Sequence, residues 1–219
     1  MTPGIAERYV TAQRSFVDLL RSLTPDQLAR SVPACPEWTV RDVVSHVAGV
    51  PEDAFAGRMD GVATDPWTDA QVERWRDTPL DELLDGWDEK AEPFAAILEQ
   101  FDEPRAVLDC WSHEQDVRGA VDQPGNRDGM IAETSAHLVV EALETDRKVV
   151  VELADGRQLT GGGDGDPITL RGVTPFEVVR SRLGRRSRSQ AEAYDWGDDP
   201  GDVLDGWFIF GPRTNPLEE

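Results

Sequence analysis

Basic charge is scarce in this chain: 43 acids stand against 22 lysines and arginines in 219 residues, for a net charge of −21. Such a surface repels phosphate backbones, so no nucleic-acid partner is expected. The cluster Arg180, Arg182, Arg185, Arg186 and Arg188 is a local exception to an acidity that otherwise serves solubility. Lysine is nearly absent, with only Lys90 and Lys148, an arginine bias that a GC-rich genome or salt adaptation would each produce. No apolar run approaches the roughly 20 residues of a membrane helix. The N-terminus lacks a basic region followed by an apolar core, so neither a membrane partner nor secretion is expected and the default is a cytoplasmic protein. Two cysteines, Cys35 and Cys110, make no disulfide framework and no CxxC pair, and each reads first as a small buried hydrophobe.

Enough apolar residue remains, 39%, to bury a core, in one large domain or one with a small appendage. Tyr9, Val10, Phe16, Val17, Leu19, Leu20 and Leu23 recur at helical spacing and predict a first helix. Pro33 to Trp38 reads as a stiff loop. Thr39 and Asp42 read as a capping box, with Asp42 where Glu is usual, and the helix they open is expected to end or kink at Gly49-Val50-Pro51, a resumed helix towards Met59 being left open. Residues 60–78 are polar and read as a long connection or irregular helix. Leu80 to Leu98 carries a strong amphipathic stripe, and helices are predicted over 105–121 and 130–144. Beyond Asp146 the pattern changes: two strands flank Ala154-Asp155-Gly156-Arg157, a third runs from Asp166 to Gly172, and Thr174-Pro175 opens a helix that Gly184 closes. The reading is a mainly α chain, with a helical bundle over 1–146 and a small α/β domain over 147–219. A monomer or a homodimer satisfies it equally.

The histidines carry the chemistry. Only three are present, and two fall in notable segments: His46 on the helix after Trp38, and His113 four residues after Asp109. On a helix Asp109 and His113 share one face one turn apart. Together they can grip one metal ion, with a histidine from a neighbouring helix as third ligand and a position left open. Spacing alone leaves a second reading open, a hydrogen-bonded local pair. His137 has only Glu133 and Glu141 at ligand spacing. Gly161-Gly162-Gly163-Asp164-Gly165 lacks the lysine and the strand–helix context of a phosphate loop. No GxSxG elbow and no HExxH motif occurs.

Read as whole motifs, the segments Pro36-Glu37-Trp38-Thr39-Val40-Arg41-Asp42-Val43-Val44-Ser45-His46-Val47-Ala48 and Asp109-Cys110-Trp111-Ser112-His113-Glu114-Gln115-Asp116-Val117-Arg118 resemble those of mycothiol-dependent maleylpyruvate isomerase-like proteins, within the DinB/YfiT-like metalloenzymes. Gly184-Arg185-Arg186-Ser187-Arg188-Ser189-Gln190 and Asp195-Trp196 resemble that family's ending. The resemblance implies a DinB-like four-helix bundle followed by a small C-terminal α/β domain. It implies a metal held by His46, Asp109 and His113, with Asp109 one methylene shorter than the glutamate frequent in relatives.

The resemblance further implies a metal-bound thiolate of mycothiol attacking an electrophilic small molecule, as an isomerase or S-transferase, and an actinobacterial source. Zinc is the first expectation, with nickel or iron as alternatives, since nitrogen-rich sites admit several first-row ions. Other outcomes on the same scaffold are a metal-dependent hydrolase or a non-catalytic metal or small-ligand binding protein. Arg185, Arg186 and Arg188 are candidate contacts for an acidic substrate, because the guanidinium fork binds carboxylates bidentately; equally, they can cap the preceding helix. Asp116 is a candidate to orient His113, or to bridge to Arg118 on the surface.

Overall fold

The computed structural model describes residues 3–219. Its fold is mainly α with a small α/β part, and it packs as two units, one ending at Gly125 and one spanning Asn126–Glu219.

In chain order the first unit holds α1 (Ile5–Arg21), a one-turn α2 (Pro25–Leu28), a short hairpin of β1 (Ser31–Val32) and β2 (Cys35–Thr39), then α3 (Val40–Ala56), α4 (Asp65–Trp75), α5 (Leu80–Gln100) and α6 (Arg105–Ala120). The four long helices α1, α3, α5 and α6 close into a bundle: α1 packs on α5 and α6, and α3 packs on the same two. Their apolar stripes meet in an aromatic core. The Phe16 and Trp87 rings stand edge-on at 5.9 Å, Tyr9 and Phe94 at 5.1 Å, and the buried Trp87 indole donates to the Tyr9 hydroxyl at 3.1 Å. An indole buried so completely needs a partner for its N–H, and Tyr9 supplies it. Truncating such a residue costs about 3–5 kcal/mol.

The capping box expected at Thr39 is formed. The Thr39 hydroxyl accepts from Asp42 N–H, and Asp42 Oδ2 accepts from Thr39 N–H at 2.9 Å. One expectation needs correction. α3 does not break at Gly49-Val50-Pro51 but runs on to Ala56, where Gly57 in the left-handed region caps it. Of the two alternatives for residues 60–78 the helix holds: they contain α4, begun by Thr64-Asp65-Pro66 and packed on α3. Both features share one cause. A Cβ on Gly49 would lie 2.9 Å from Gln71 Cγ, so the glycine is where α4 comes close to α3. Gly inside a helix costs about 1 kcal/mol relative to Ala, and here the close packing of α4 offsets that loss.

The second unit contains α7 (Met130–Glu141), β3 (Arg147–Leu153), β4 (Gln158–Gly162), β5 (Gly165–Val173), α8 (Pro175–Arg182), α9 (Arg188–Glu192) and α10 (Gly201–Trp207). Because α7 packs on α8 and β4, this unit begins before it, whereas the change from helical to strand pattern falls near Asp146. The sheet order is β4-β3-β5, with β4 antiparallel and β5 parallel to β3. The glycine run is the short path round the start of β3. Gly163 N–H donates to Thr145 and Arg147 carbonyls, and Gly165 N–H donates to Asp146 O. A Cβ on Gly161 would stand 1.8 Å from Val140 O, so the run answers a close approach of backbone.

Candidate metal centre

Three elements of the first unit converge on one point. α3 contributes His46, and α6 contributes Asp109 and His113 from one face. α4 contributes Gln71 behind His46. His46 Nε2 stands 3.8 Å from Asp109 Oδ2, and His113 Nε2 stands 3.5 Å from Asp109 Oδ1. One ligand atom from each of the three lies within 4.8 Å of the others. In a tetrahedral site with bonds of 2.0–2.1 Å, nitrogen and oxygen ligands stand about 3.3 Å apart, so this donor set fits a divalent ion with little movement. The shorter carboxylate of Asp109 still reaches between both rings.

The histidines are buried, at 5% and 7% exposure, while the Asp109 side chain is 38% exposed and opens the group to solvent. Each Nδ1 faces inwards to an acceptor. His46 Nδ1 is 2.6 Å from Gln71 Oε1, and Gln71 Nε2 donates to Asp53 Oδ2 at 2.8 Å. This chain fixes a tautomer. Asp53 accepts from Arg58 and Arg74, and the Gln71 amide presents its NH2 to Asp53 and its oxygen to His46. Neutral His46 therefore carries its proton on Nδ1, which leaves Nε2, facing Asp109, to take a metal ion or a second proton. Such outer partners orient metal-ligating histidines generally.

Asp116, wholly buried, takes the matching place behind His113: its Oδ2 lies 3.0 Å from Nδ1, ion-pair distance though off the line of a hydrogen bond. Arg118 pairs instead with the buried Glu114, at 2.7 Å, and not with Asp116. Burial opposes charge on His46, but Asp109 above all, with Gln71 and Asp53, outweighs it and raises the pKa over the ordinary histidine value. An electrostatic field that favours a proton between His46 and Asp109 also favours a metal cation there. Two indoles flank the group: the Trp38 ring centre is 5.3 Å from His46 and 6.2 Å from His113, and Trp67 lies edge-on 6.0 Å from His46.

The remaining candidates lie elsewhere. His137 is exposed on α7 beside Glu141 at 3.5 Å. Arg186 is buried in the second unit, held by Glu177 at 2.7 and 2.8 Å and by Glu219 at 3.1 Å. Arg188 pairs with Glu192 and Asp205, and Arg185 donates to the Leu183 carbonyl. Burial lowers the neighbouring Arg182 to about 10, which still leaves it charged at neutral pH.

Sequence reasoning overlooked Gln71, Asp53 and Trp67. The signals available were the Thr64-Asp65-Pro66 helix start and the mid-helix Gly49.

A bundle whose facing helices present His and Asp-x3-His to one point defines a class of metal-site scaffold. The model of the mycothiol maleylpyruvate isomerase N-terminal domain matches residues 10–139, and the chain belongs to that family. Two crystal structures of mycothiol-dependent maleylpyruvate isomerase, one a single-residue variant, are similar over 82% of this chain and 89% of theirs, at 15% and, for the variant, 13% identity, with TM-score 0.49. No curated protein matches the chain significantly.

Proposed function

We propose that this protein is a mycothiol-dependent enzyme, an isomerase or S-transferase, that binds a divalent ion through His46, Asp109 and His113. Family membership supports the thiol, and one observation carries the metal: both histidines present Nε2 to a single carboxylate while each Nδ1 faces a buried acceptor. Zinc is the first choice, and nickel or iron suit the same donors. A divalent ion there would take the thiol sulfur at its open position and lower the thiol pKa towards neutrality. The chain's own residues prepare that step. Asp53 and Gln71 hold the tautomer of His46, Asp116 faces the far side of His113, and Trp38 and Trp67 shield the rings from water. The solvent-facing Asp109 marks where a small thiol and its electrophilic partner would enter.

Arg185, Arg186 and Arg188 are each proposed as contacts for an acidic substrate, because the guanidinium fork binds a carboxylate bidentately. Replacing the responsible arginine with Ala would then raise KM or lower turnover with metal content intact, and Lys would not fully rescue, lacking the planar fork.

The test is a thermal-shift comparison of metal-loaded and metal-free protein with mycothiol, glutathione, bacillithiol and simple thiols. A ligand at 100 times its dissociation constant stabilises by about 2.7 kcal/mol. Mycothiol is expected to raise Tm only in metal-loaded protein, and His46→Ala should abolish the response. No thiol response together with ester or amide turnover would indicate a hydrolase, and silence throughout a binding protein.

A further inference from the structure

Behind the metal centre lies a second cluster with ligand chemistry of its own. Cys35, on β2, directs its thiol at Asp116 Oδ2, 3.6 Å away. The same oxygen is 3.0 Å from His113 Nδ1. One donor atom each from Cys35, His113 and Asp116 falls within 4.8 Å of the others. His113 is 7% exposed, and its Nδ1 is buried without a hydrogen bond of acceptable angle, aimed into this group. At zinc bond lengths of about 2.3 Å to sulfur and 2.0 Å to oxygen, tetrahedral S and O ligands stand about 3.5 Å apart. The observed spacing therefore needs little adjustment. Cys35 is half-buried, so an ion has a way in from solvent.

We propose a second cation site here, formed by Cys35 Sγ, His113 Nδ1 and Asp116, that takes a thiophilic ion such as cadmium or zinc. It differs from the His46–Asp109–His113 group in its thiolate and in using the opposite nitrogen of the His113 ring. On binding, the thiol proton leaves to solvent and sulfur forms the new bond. Nδ1 must offer its lone pair, so the single ring proton of neutral His113 sits on Nε2, the nitrogen that faces Asp109. An ion in this second site therefore withdraws His113 from the first, and soft metals act as antagonists of the metal centre through one shared imidazole. In metal-free protein the site forms without His46 and Asp109, which contribute no ligand to it.

The experiment titrates metal-free protein with cadmium and reads two signals: thiolate-to-cadmium charge-transfer absorption in the near ultraviolet, and the rate at which iodoacetamide labels Cys35, located by peptide mass. At ten times the dissociation constant, the labelling rate is expected to fall about tenfold, following the free fraction. His46→Ala should keep both signals, which separates this site from the first. Cys35→Ser should lose the absorption, and Asp116→Asn should weaken the protection. The labelling measurement needs no variant, so misfolding of a mutant leaves the test intact. Absence of the absorption in the wild type, its persistence in Cys35→Ser, unprotected Cys35, or loss of both signals in His46→Ala would each overturn the proposal.

Discussion

The most informative perturbation is Gln71→Met. Gln71 is wholly buried and links Asp53 to His46 through contacts of 2.8 and 2.6 Å. Methionine fills much the same volume but neither accepts from Nδ1 nor donates to Asp53. Asp53 keeps Arg58 and Arg74 on Oδ1 but loses the donor to Oδ2, and His46, 5% exposed, is left with an Nδ1–H that has no acceptor. An unsatisfied buried donor costs about 1–3 kcal/mol of stability. In a chain of this size that lowers Tm by about 2–4 °C per kcal/mol. The imidazole is also freed to turn. Loss of an outer partner of this kind costs about 10–100-fold in metal affinity, equivalent to about 1.4–2.8 kcal/mol. The assay is zinc affinity by chelator competition, with far-ultraviolet circular dichroism to check folding. Affinity within twofold of wild type in a folded Gln71→Met protein would refute the orienting role.

Gly49→Ala should weaken metal binding in the same assay despite better helix propensity, because its Cβ pushes Gln71 aside; unchanged affinity would show that α4 can shift freely. Cys110, whose thiol burial pushes well up and the charges of Glu114 and Asp109 raise further, should resist iodoacetamide at neutral pH until the protein unfolds, whereas metal-free protein should label at Cys35; equal labelling would contradict the burial assigned to Cys110. Burial acts to raise the Glu177 pKa, but Arg186 and then Tyr194 outweigh it and hold the carboxyl below its ordinary value. A depressed carboxylate stabilises fully above its unfolded pKa, and that contribution is lost as pH falls through the folded value. Glu177→Gln should therefore lower Tm at pH 7, by an amount reflecting about 3 kcal/mol for a broken buried pair, and flatten the acid loss of Tm below about pH 4.5; an equally steep loss in the variant would remove Glu177 from the account.

How much of this was legible beforehand followed from which forces write themselves into sequence. The stripes of α1 and α5 and the Thr39–Asp42 box were readable, because apolar periodicity and caps are local. So was the trio His46, Asp109 and His113, whose rarity and spacing singled it out and whose atoms the fold brings within 4.8 Å. α4 was readable only as one of two alternatives, because the residue it buries behind His46 is polar: Gln71 occupies the place an apolar residue would have marked. Gly49 and Pro51 look like breakers, yet their cost is offset by packing against a helix distant in sequence, a tertiary effect no window contains. The arginines near 185 are ambiguous for a related reason. Composition shows their charge, but only the fold shows that Arg186 meets Glu177 and Glu219.

The central claim is that His46, Asp109 and His113 hold one divalent ion, and metal analysis of protein purified without a histidine tag tests it most directly. Wild-type protein is expected to carry about one ion per chain, and His46→Ala, Asp109→Ala and His113→Ala to lose it while staying folded, as a three-ligand site requires. Stoichiometric metal retained in His46→Ala and His113→Ala would contradict the account.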